Sequence, residues 1–400
     1  MLGWELPPHN SGGLGVACLN MAHALSDQGV NIDFVVPYAA EHPHTEFMRV
    51  LHATDLDPIH RYGGGAYASL DIHKRNIPSI DHPDMISIRT VQKSYQEFVN
   101  EYLMEFKPDL IHAHDWLTYE AGILAKKNYD IPLVAHVHAT EYDRAGSHEG
   151  NPLIHEIERE GLMMADKIIA VSDLTRHIIH DKYQIPLNKI DVIYNSLDEG
   201  YYSDYEYDDS IHKYTTSLKN EGYTIISTVG RFTVQKGLDF LMNAARKATE
   251  KNPKLLFIFA GDGEERNHLI SRAATLGISR NVVFTGFVRG KKLRDIYALS
   301  DIFVMSSVSE PFGLTALEAA YHNNALILTN QSGVSEVIWS AMKYDFWDED
   351  KLADEILAIA SHAPLKKTLR QNLSHEYNQI SWEKVAKKCQ KIYNNIKHKR

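Results

Sequence analysis

Short apolar runs, separated by longer amphipathic stretches, constrain this chain more than any other feature. The first half carries Ile32–Val36, Leu110–Ala113, Leu133–Val137, Lys167–Val171 and Asp191–Tyr194. The second half carries Thr224–Val229, Leu255–Ala260, Asn281–Phe284, Ile302–Met305 and Ala325–Leu328. Most of these runs are apolar at consecutive positions instead of alternating. Strands read this way when helices cover both faces of a parallel sheet. Between the runs, Leu14, Ala17, Cys18, Met21 and Leu25 fall at helical spacing, with Gly29 as a stop. Leu238, Leu241, Ala244, Ala245 and Ala248 repeat that pattern. Strand–helix alternation predicts an α/β protein of doubly wound, Rossmann-like parallel sheets.

A length of 400 residues suggests two or three domains at about 150 residues each. The seam falls near Asp198–Tyr223, where the acidic, tyrosine-rich stretch Glu199–Asp209 has neither helical nor strand period. The expected organisation is an N-terminal domain over residues 1–198 and a linker over 199–222. A second domain follows over 223–377, and a helix over 378–400 packs back on the first. Residues His52–Asp84, rich in His, Gly, Pro and Asp, form a long irregular segment, which usually signals function or mobility. The formal net charge of −10 disfavours non-specific binding to nucleic acid or anionic membrane. Cys18 and Cys389 lie at opposite ends of the chain without metal-ligand spacing, which suits a reducing, cytoplasmic setting. No apolar run has the length of a membrane span, and no signal peptide is visible. The first residues read as the end of an initial strand.

The strongest chemical signal is Ser309-Glu310-Pro311-Phe312-Gly313-Leu314-Thr315-Ala316-Leu317-Glu318-Ala319, which follows an apolar run and opens a helix. Pro311 and Gly313 make a tight turn. The first amides of the helix, around Phe312, Gly313 and Leu314, form a cradle for phosphate or sugar hydroxyls. Glu310 and Glu318 are poor phosphate ligands but good acceptors for sugar and ribose hydroxyls. Taken singly, each reads as a solvated glutamate; the strand–Glu-Pro-Phe-Gly–helix context favours the ligand role. A second segment, Gly230–Gly237, puts Arg231 and Lys236 at the carboxyl end of a parallel strand, where two cations suit a pyrophosphate leaving group. A third, Asn10-Ser11-Gly12-Gly13-Leu14-Gly15, opens the first helix and lets a ligand approach the backbone closely. No GxGxxG fingerprint is present, which argues against a dinucleotide dehydrogenase.

His112 and His114 end one strand, followed by Asp115-Trp116; His136 and His138 end the next, followed by Ala139-Thr140-Glu141. Residues at i and i+2 share a strand face. The histidine-rich chain carries no HExxH spacing, so polar residues at adjacent strand ends are the preferred reading and no metal is expected.

On these residues the chain resembles the retaining glycosyltransferases of the GT-B fold, family 4 and its glycogen and starch synthase relatives, over nearly its whole length. The carriers are Glu310-x7-Glu318, Gly230–Gly237, His112-Ala113-His114-Asp115-Trp116 and Ser381-Trp382 before the last helix. Where those synthases have Lys-x-Gly-Gly-Leu, this sequence has Asn10-Ser11-Gly12-Gly13-Leu14; sucrose-phosphate synthases also lack that lysine.

The resemblance implies two Rossmann-like domains facing a deep cleft and a nucleotide-sugar donor, ADP-glucose or UDP-glucose, with no cofactor. Arg231 and Lys236 would hold the diphosphate, Glu318 the ribose, and Glu310 with the amides of Phe312, Gly313 and Leu314 the sugar. The backbone at Gly286, Phe287 and Val288 would meet the base. Gly12 and Gly13 would contact the diphosphate, and the His138 carbonyl would face the anomeric carbon. His114, Asp115, Trp116 and Glu141 fall on the acceptor side. The expected reaction moves glucose to a glucan or other carbohydrate acceptor with retention and without a metal. Alternatives are a family 4 enzyme for another glycan or a sucrose- or glycolipid-type acceptor, a UDP-N-acetylglucosamine 2-epimerase, and a non-catalytic sugar-nucleotide sensor.

Overall fold

A computed structural model describes residues 1–9, 12–56, 88–146, 149–197 and 209–397. The chain divides into two compact units: residues 1–142, 149–196 and 381–400 form unit 1, and residues 143–148 and 197–380 form unit 2.

In unit 1, helix α1 (Gly13–Ser26) precedes β1 (Asp33–Val36) and β2 (Arg49–His52). Then come α2 (Ile88–Glu105), β3 (Ile111–His114), α3 (Trp116–Tyr129), β4 (Leu133–Val137), α4 (Glu141–Ala145), α5 (Pro152–Met164), β5 (Lys167–Ala170), α6 (Asp173–Tyr183) and β6 (Ile190–Val192). Strands β3 to β6 pair in sequence order, and β1 pairs β2, all parallel. The first residues join the two groups. Leu2 N donates to His112 O at 2.8 Å, His114 N donates to Leu2 O at 3.0 Å, and Gly3 N donates to Val35 O at 3.0 Å. The opening residues therefore continue a strand between β1 and β3, as the sequence suggested. β4 shows why its run is continuous: Leu133, Ala135 and Val137 enter one core, and Val134 enters another. A strand covered on both faces has no solvent side on which to place polar residues.

Unit 2 contains α7 (Asp209–Asn220), β7 (Thr224–Val229), α8 (Leu238–Lys251), β8 (Leu255–Ala260), α9 (Arg266–Thr275), β9 (Val282–Gly286) and α10 (Lys291–Leu299). It continues with β10 (Ile302–Met305), α11 (Leu314–Tyr321), β11 (Ala325–Thr329), β12 (Met342–Tyr344), α12 (Glu349–Ser361) and α13 (Ala363–Tyr377). The strand order is β12-β11-β10-β7-β8-β9, all parallel. Ile225, Leu256 and Ile258 pack on one face of the sheet; Ile226, Leu255 and Phe257 pack on the other. The final helix, α14 (Trp382–Lys397), returns to unit 1, where Val385, Cys389 and Ile392 pack with Leu14, Cys18 and Met21 of α1.

Three features differ from the sequence expectation. β2 and β12 were not anticipated. Both are edge strands; β2 is half-exposed and β12 is only Met342-Lys343-Tyr344 with Tyr344 buried, so neither shows an apolar run. The second half of the expected linker is helix α7, whose Leu218 packs beside Ile225. Its Lys, Thr and Ser content hides the helical period. Residue 198, the linker residues 199–208 and most of the irregular His52–Asp84 segment lie outside the described residues.

Candidate functional site

In unit 2 the sheet grows outward in both directions from β7 and β10. Open parallel sheets bind ligands outside the carboxyl ends of the strands at such a reversal. β7 leads into Gly230–Gly237, and β10 leads into Ser306–Gly313, so the two strongest sequence motifs flank this point.

The loops are fastened to one another. Lys236 ends a 3-10 turn, and Gly237 has φ of +58°, the left-handed region. A Cβ on Gly237 would lie 2.1 Å from Ser306 O, so only glycine permits this approach. Ser306 Oγ donates to Lys236 O at 2.9 Å, Val308 N donates to Gln235 O at 2.8 Å, and Gln235 Nε2 donates to Ser309 O at 3.0 Å.

Across this seam Lys236 Nζ donates to Glu310 Oε2 at 2.6 Å, and Ser307 Oγ donates to the same oxygen at 2.9 Å. Both members of the ion pair retain some exposure, 25% for Lys236 and 12% for Glu310, so each is reachable by a ligand. Gly230, Arg231, Lys236, Glu310 and Thr315 line one pocket. The main chain of Glu310 is held by Gln331 O, at 2.9 Å from its amide, and by Gly333 N, at 2.9 Å from its carbonyl. Phe312 is buried and accepts a bond from Val334 N at 2.7 Å.

Gly313 has φ of +109°, and a Cβ there would lie 2.8 Å from Met305 Cε. It is the N-terminal cap residue of α11, with no side-chain cap. Leu314 and Thr315 begin the helix at its positive end, where donors precede the internal hydrogen-bond ladder. Glu318 lies one turn further on, with Oε2 accepting from Tyr297 Oη at 2.6 Å. Gly286 closes β9; its carbonyl accepts from Gly261 N at 3.0 Å. Phe287 is exposed, with the Arg289 guanidinium 5.3 Å from its ring centre, and Val288 is half-buried beside Ile225.

In unit 1, Gly12 caps α1 and Gly13 begins it. A Cβ on Gly13 would meet nothing within 4 Å, whereas one on Gly12 would lie 2.9 Å from Glu5 Oε2. Asn10 and Ser11 of this turn lie outside the described residues.

The histidines of β3 and β4 form a buried two-by-two array. His112 Nε2 is 3.1 Å from His136 Nδ1, and His114 Nδ1 is 3.0 Å from His138 Nε2. Tyr393 of α14 reaches His112 Nδ1 at 2.6 Å. Burial, reinforced by the neighbouring rings, pushes His112, His114 and His136 well below the usual histidine range, and burial brings His138 down to about 3. All four are therefore neutral at pH 7. Two overlapping sets, Cys18 with His114 and His138, and His112 with His114 and His136, each bring one ligand atom per residue within 4.8 Å of the others. In each set two ring nitrogens already lie within hydrogen-bond distance of one another. Burial and nearby carboxylates keep the Cys18 thiol well above its ordinary value, away from the thiolate that metals bind.

Asp115 has φ of 58° and ψ of 171°, rare for a non-glycine residue and worth about 1–3 kcal/mol of strain. Its Oδ1 accepts from His138 N at 2.7 Å and Ala139 N at 3.4 Å, tying the end of β4 to the end of β3. His114 and Trp116 are buried beside it. Glu141 is also buried: its amide donates to Glu158, and its Oε1 accepts from Asn151 N at 2.9 Å. The Asp115 and Glu141 side chains thus brace the backbone of these loops. Sequence reasoning missed Ser307, one of two adjacent strand-end serines, and Tyr297, whose helical position gives no hint of its partner.

Two Rossmann-like units in one chain, with charged and glycine-rich turns at strand carboxyl ends, are the architecture of the GT-B fold. Residues 11–200 match the model for glycosyltransferase family 4, and residues 213–375 match the model for glycosyl transferases group 1. The chain belongs to this family of glycosyltransferases, through its family 4 N-terminal half and its group 1 C-terminal half, and resembles glycogen synthase. An uncharacterized glycosyltransferase of Methanocaldococcus jannaschii is 27% identical, covering 98% of this chain and 97% of the relative. Glycogen synthase of Mycobacterium tuberculosis is 26% identical, covering 98% and 93%. In fold, sucrose-phosphate synthase of Thermosynechococcus elongatus superposes with a TM-score of 0.77 at 18% identity, covering 100% of this chain and 96% of that one.

Proposed function

We propose that this glycosyltransferase moves glucose from a nucleoside-diphosphate sugar, ADP-glucose or UDP-glucose, to a glucan or related carbohydrate acceptor, with retention and without a metal. The observation that carries the reading is the seam at β7 and β10, where Lys236, Glu310, Ser307 and the start of α11 converge with Arg231 on one pocket. As the glycosidic bond to phosphate breaks, negative charge grows on the leaving diphosphate. Arg231, Lys236 and the positive end of α11 oppose that charge from fixed positions, the arrangement that accelerates charge-separating reactions. Glu310 faces the sugar, where a carboxylate stabilises a ring turning cationic. Glu318 receives the ribose hydroxyls. The resemblance to glycogen synthase supports glucose and a glucan. The departing phosphate oxygen takes the acceptor hydroxyl proton on the face it leaves, which preserves the anomeric configuration.

A thermal-shift panel of ADP-, UDP- and GDP-sugars tests the donor; a true donor at a hundred times its dissociation constant stabilises by about 2.7 kcal/mol. Transfer to maltooligosaccharides is then followed with and without EDTA, and the anomer formed is read by NMR. Stabilisation by one donor, an α-linked product and unimpaired turnover in EDTA support the proposal. No shift with any donor sinks it. Activity lost to EDTA and restored by Mg²⁺ overturns the metal-free mechanism.

A further inference from the structure

The phenol of Tyr297 lies outside every motif read from the sequence, yet it is aimed at one of the residues those motifs nominate. Tyr297 is fully buried on α10, and a buried phenol must find an acceptor. Its acceptor is Glu318 Oε2, at 2.6 Å, across to α11. An ionised acceptor makes this a strong, directional bond.

The donor is itself immobilised. Asn324 Nδ2 donates to Tyr297 O at 2.8 Å and to Ala319 O at 3.0 Å, tying α10 to the end of α11. The Tyr297 ring lies 5.5 Å from that of His322, nearly parallel at 27°. His322 Nδ1 in turn donates to Glu318 O at 2.8 Å. Glu318 thus has its main-chain carbonyl and one carboxylate oxygen held by neighbouring side chains, which limits how its carboxylate can turn.

From this geometry we infer that Tyr297 is the positioning residue that makes the donor site selective for a ribose diol. The inference rests on the assignment of Glu318 to the ribose and extends it. A carboxylate is acceptor-only, so it recognises a diol only when its plane is held toward both hydroxyls. Tyr297 holds that plane before the nucleotide arrives, so the ordering cost of a free glutamate is not charged against binding.

The test compares UDP with 2′,3′-dideoxyUDP, and ADP with 2′,3′-dideoxyADP, by calorimetry on the wild type, Tyr297→Phe, Glu318→Gln and the double variant. The wild type should favour the ribo form by tenfold or more. Tyr297→Phe keeps the ring and its packing and should cut that ratio about three- to tenfold, the scale of one ordinary hydrogen bond. The double variant should lose no more selectivity than Glu318→Gln alone. A ratio unchanged in Tyr297→Phe but abolished in Glu318→Gln overturns the role of Tyr297 and leaves Glu318 on the ribose. Equal affinity of the wild type for ribo and dideoxy forms overturns both. Thermal melts of each variant separate lost selectivity from lost fold: a ratio that falls only in a variant that has also unfolded at the assay temperature counts against the inference, because Tyr297 is then structural.

Discussion

At the scale of single residues, the site is a set of charges with different duties. In the proposed mechanism Lys236 and Arg231 oppose charge that appears only as the leaving group departs. Lys236→Ala and Arg231→Ala are each expected to cost about 2–4 kcal/mol of transition-state stabilisation, roughly 30- to 1,000-fold in rate, with the fold intact. Near-normal turnover at saturating donor in both would refute this. The two glutamates should separate in kinetics. If Glu318 receives the ribose, as proposed, it does so equally in ground and transition states, so Glu318→Gln should raise KM and leave kcat nearly unchanged. In the same mechanism Glu310 responds to the developing ring charge, so Glu310→Gln should mainly lower kcat. Steady-state kinetics showing the reverse pattern would exchange their roles. The sequence placed Arg231, Lys236 and Glu310 at strand-end turns following apolar runs, and the fold gathers these three around one pocket. Tyr297 was not legible in the sequence, because its partner is supplied by a neighbouring helix 21 residues away in the chain.

At the scale of elements, the glycine turns decide how close two strand ends come. Gly237→Ala must place a methyl group where Ser306 O already lies, at 2.1 Å, in a backbone conformation that alanine resists. The expected outcome is a stability loss above about 1 kcal/mol, the ordinary cost of alanine at positive φ, together with lower activity as Lys236 shifts from Glu310. Urea melts and donor kinetics on the same variant check both. An alanine variant with wild-type midpoint and rate would show that the turn can relax. The sequence located this turn correctly but could not show what it leans on. The Ser306 carbonyl comes from a strand far along the chain, and only sheet order brings it near. Edge strands β2 and β12 escaped notice for a related reason: a strand exposed along one side carries no continuous apolar signal.

At the scale of the whole molecule, the buried histidine array makes stability depend on acid. In the folded chain His112, His114, His136 and His138 resist protonation; unfolded, each takes up a proton near pH 6.5. Above pH 6.5 both states are neutral and nothing is lost. Below it the unfolded state binds more protons, and each histidine removes about 1.4 kcal/mol per pH unit until its folded value is reached. For His138 that loss continues down to about pH 3. Glu355 acts in the opposite sense. Burial raises its carboxyl to about 7, so its penalty, present at neutral pH, fades as pH falls from 7 toward 4.5. The histidines outnumber it, so the urea midpoint should fall steadily from pH 6.5 to 4.5, and fall more steeply in Glu355→Gln. A midpoint that stays level over this range would show that the array accepts protons while folded.

The sequence by itself determined the α/β class, the parallel strands and the residues that carry charge to the strand ends. These properties are local: apolar runs, helical spacing and turn residues are read within a few positions of one another. Only the tertiary structure decided which strand ends meet. It set Lys236 against Glu310, stacked four histidines inside unit 1, spent Asp115 on the amide of His138 and gave Tyr297 to Glu318. Each of these pairs joins residues on different elements. Their contact depends on strand order and register, which no single stretch of chain encodes.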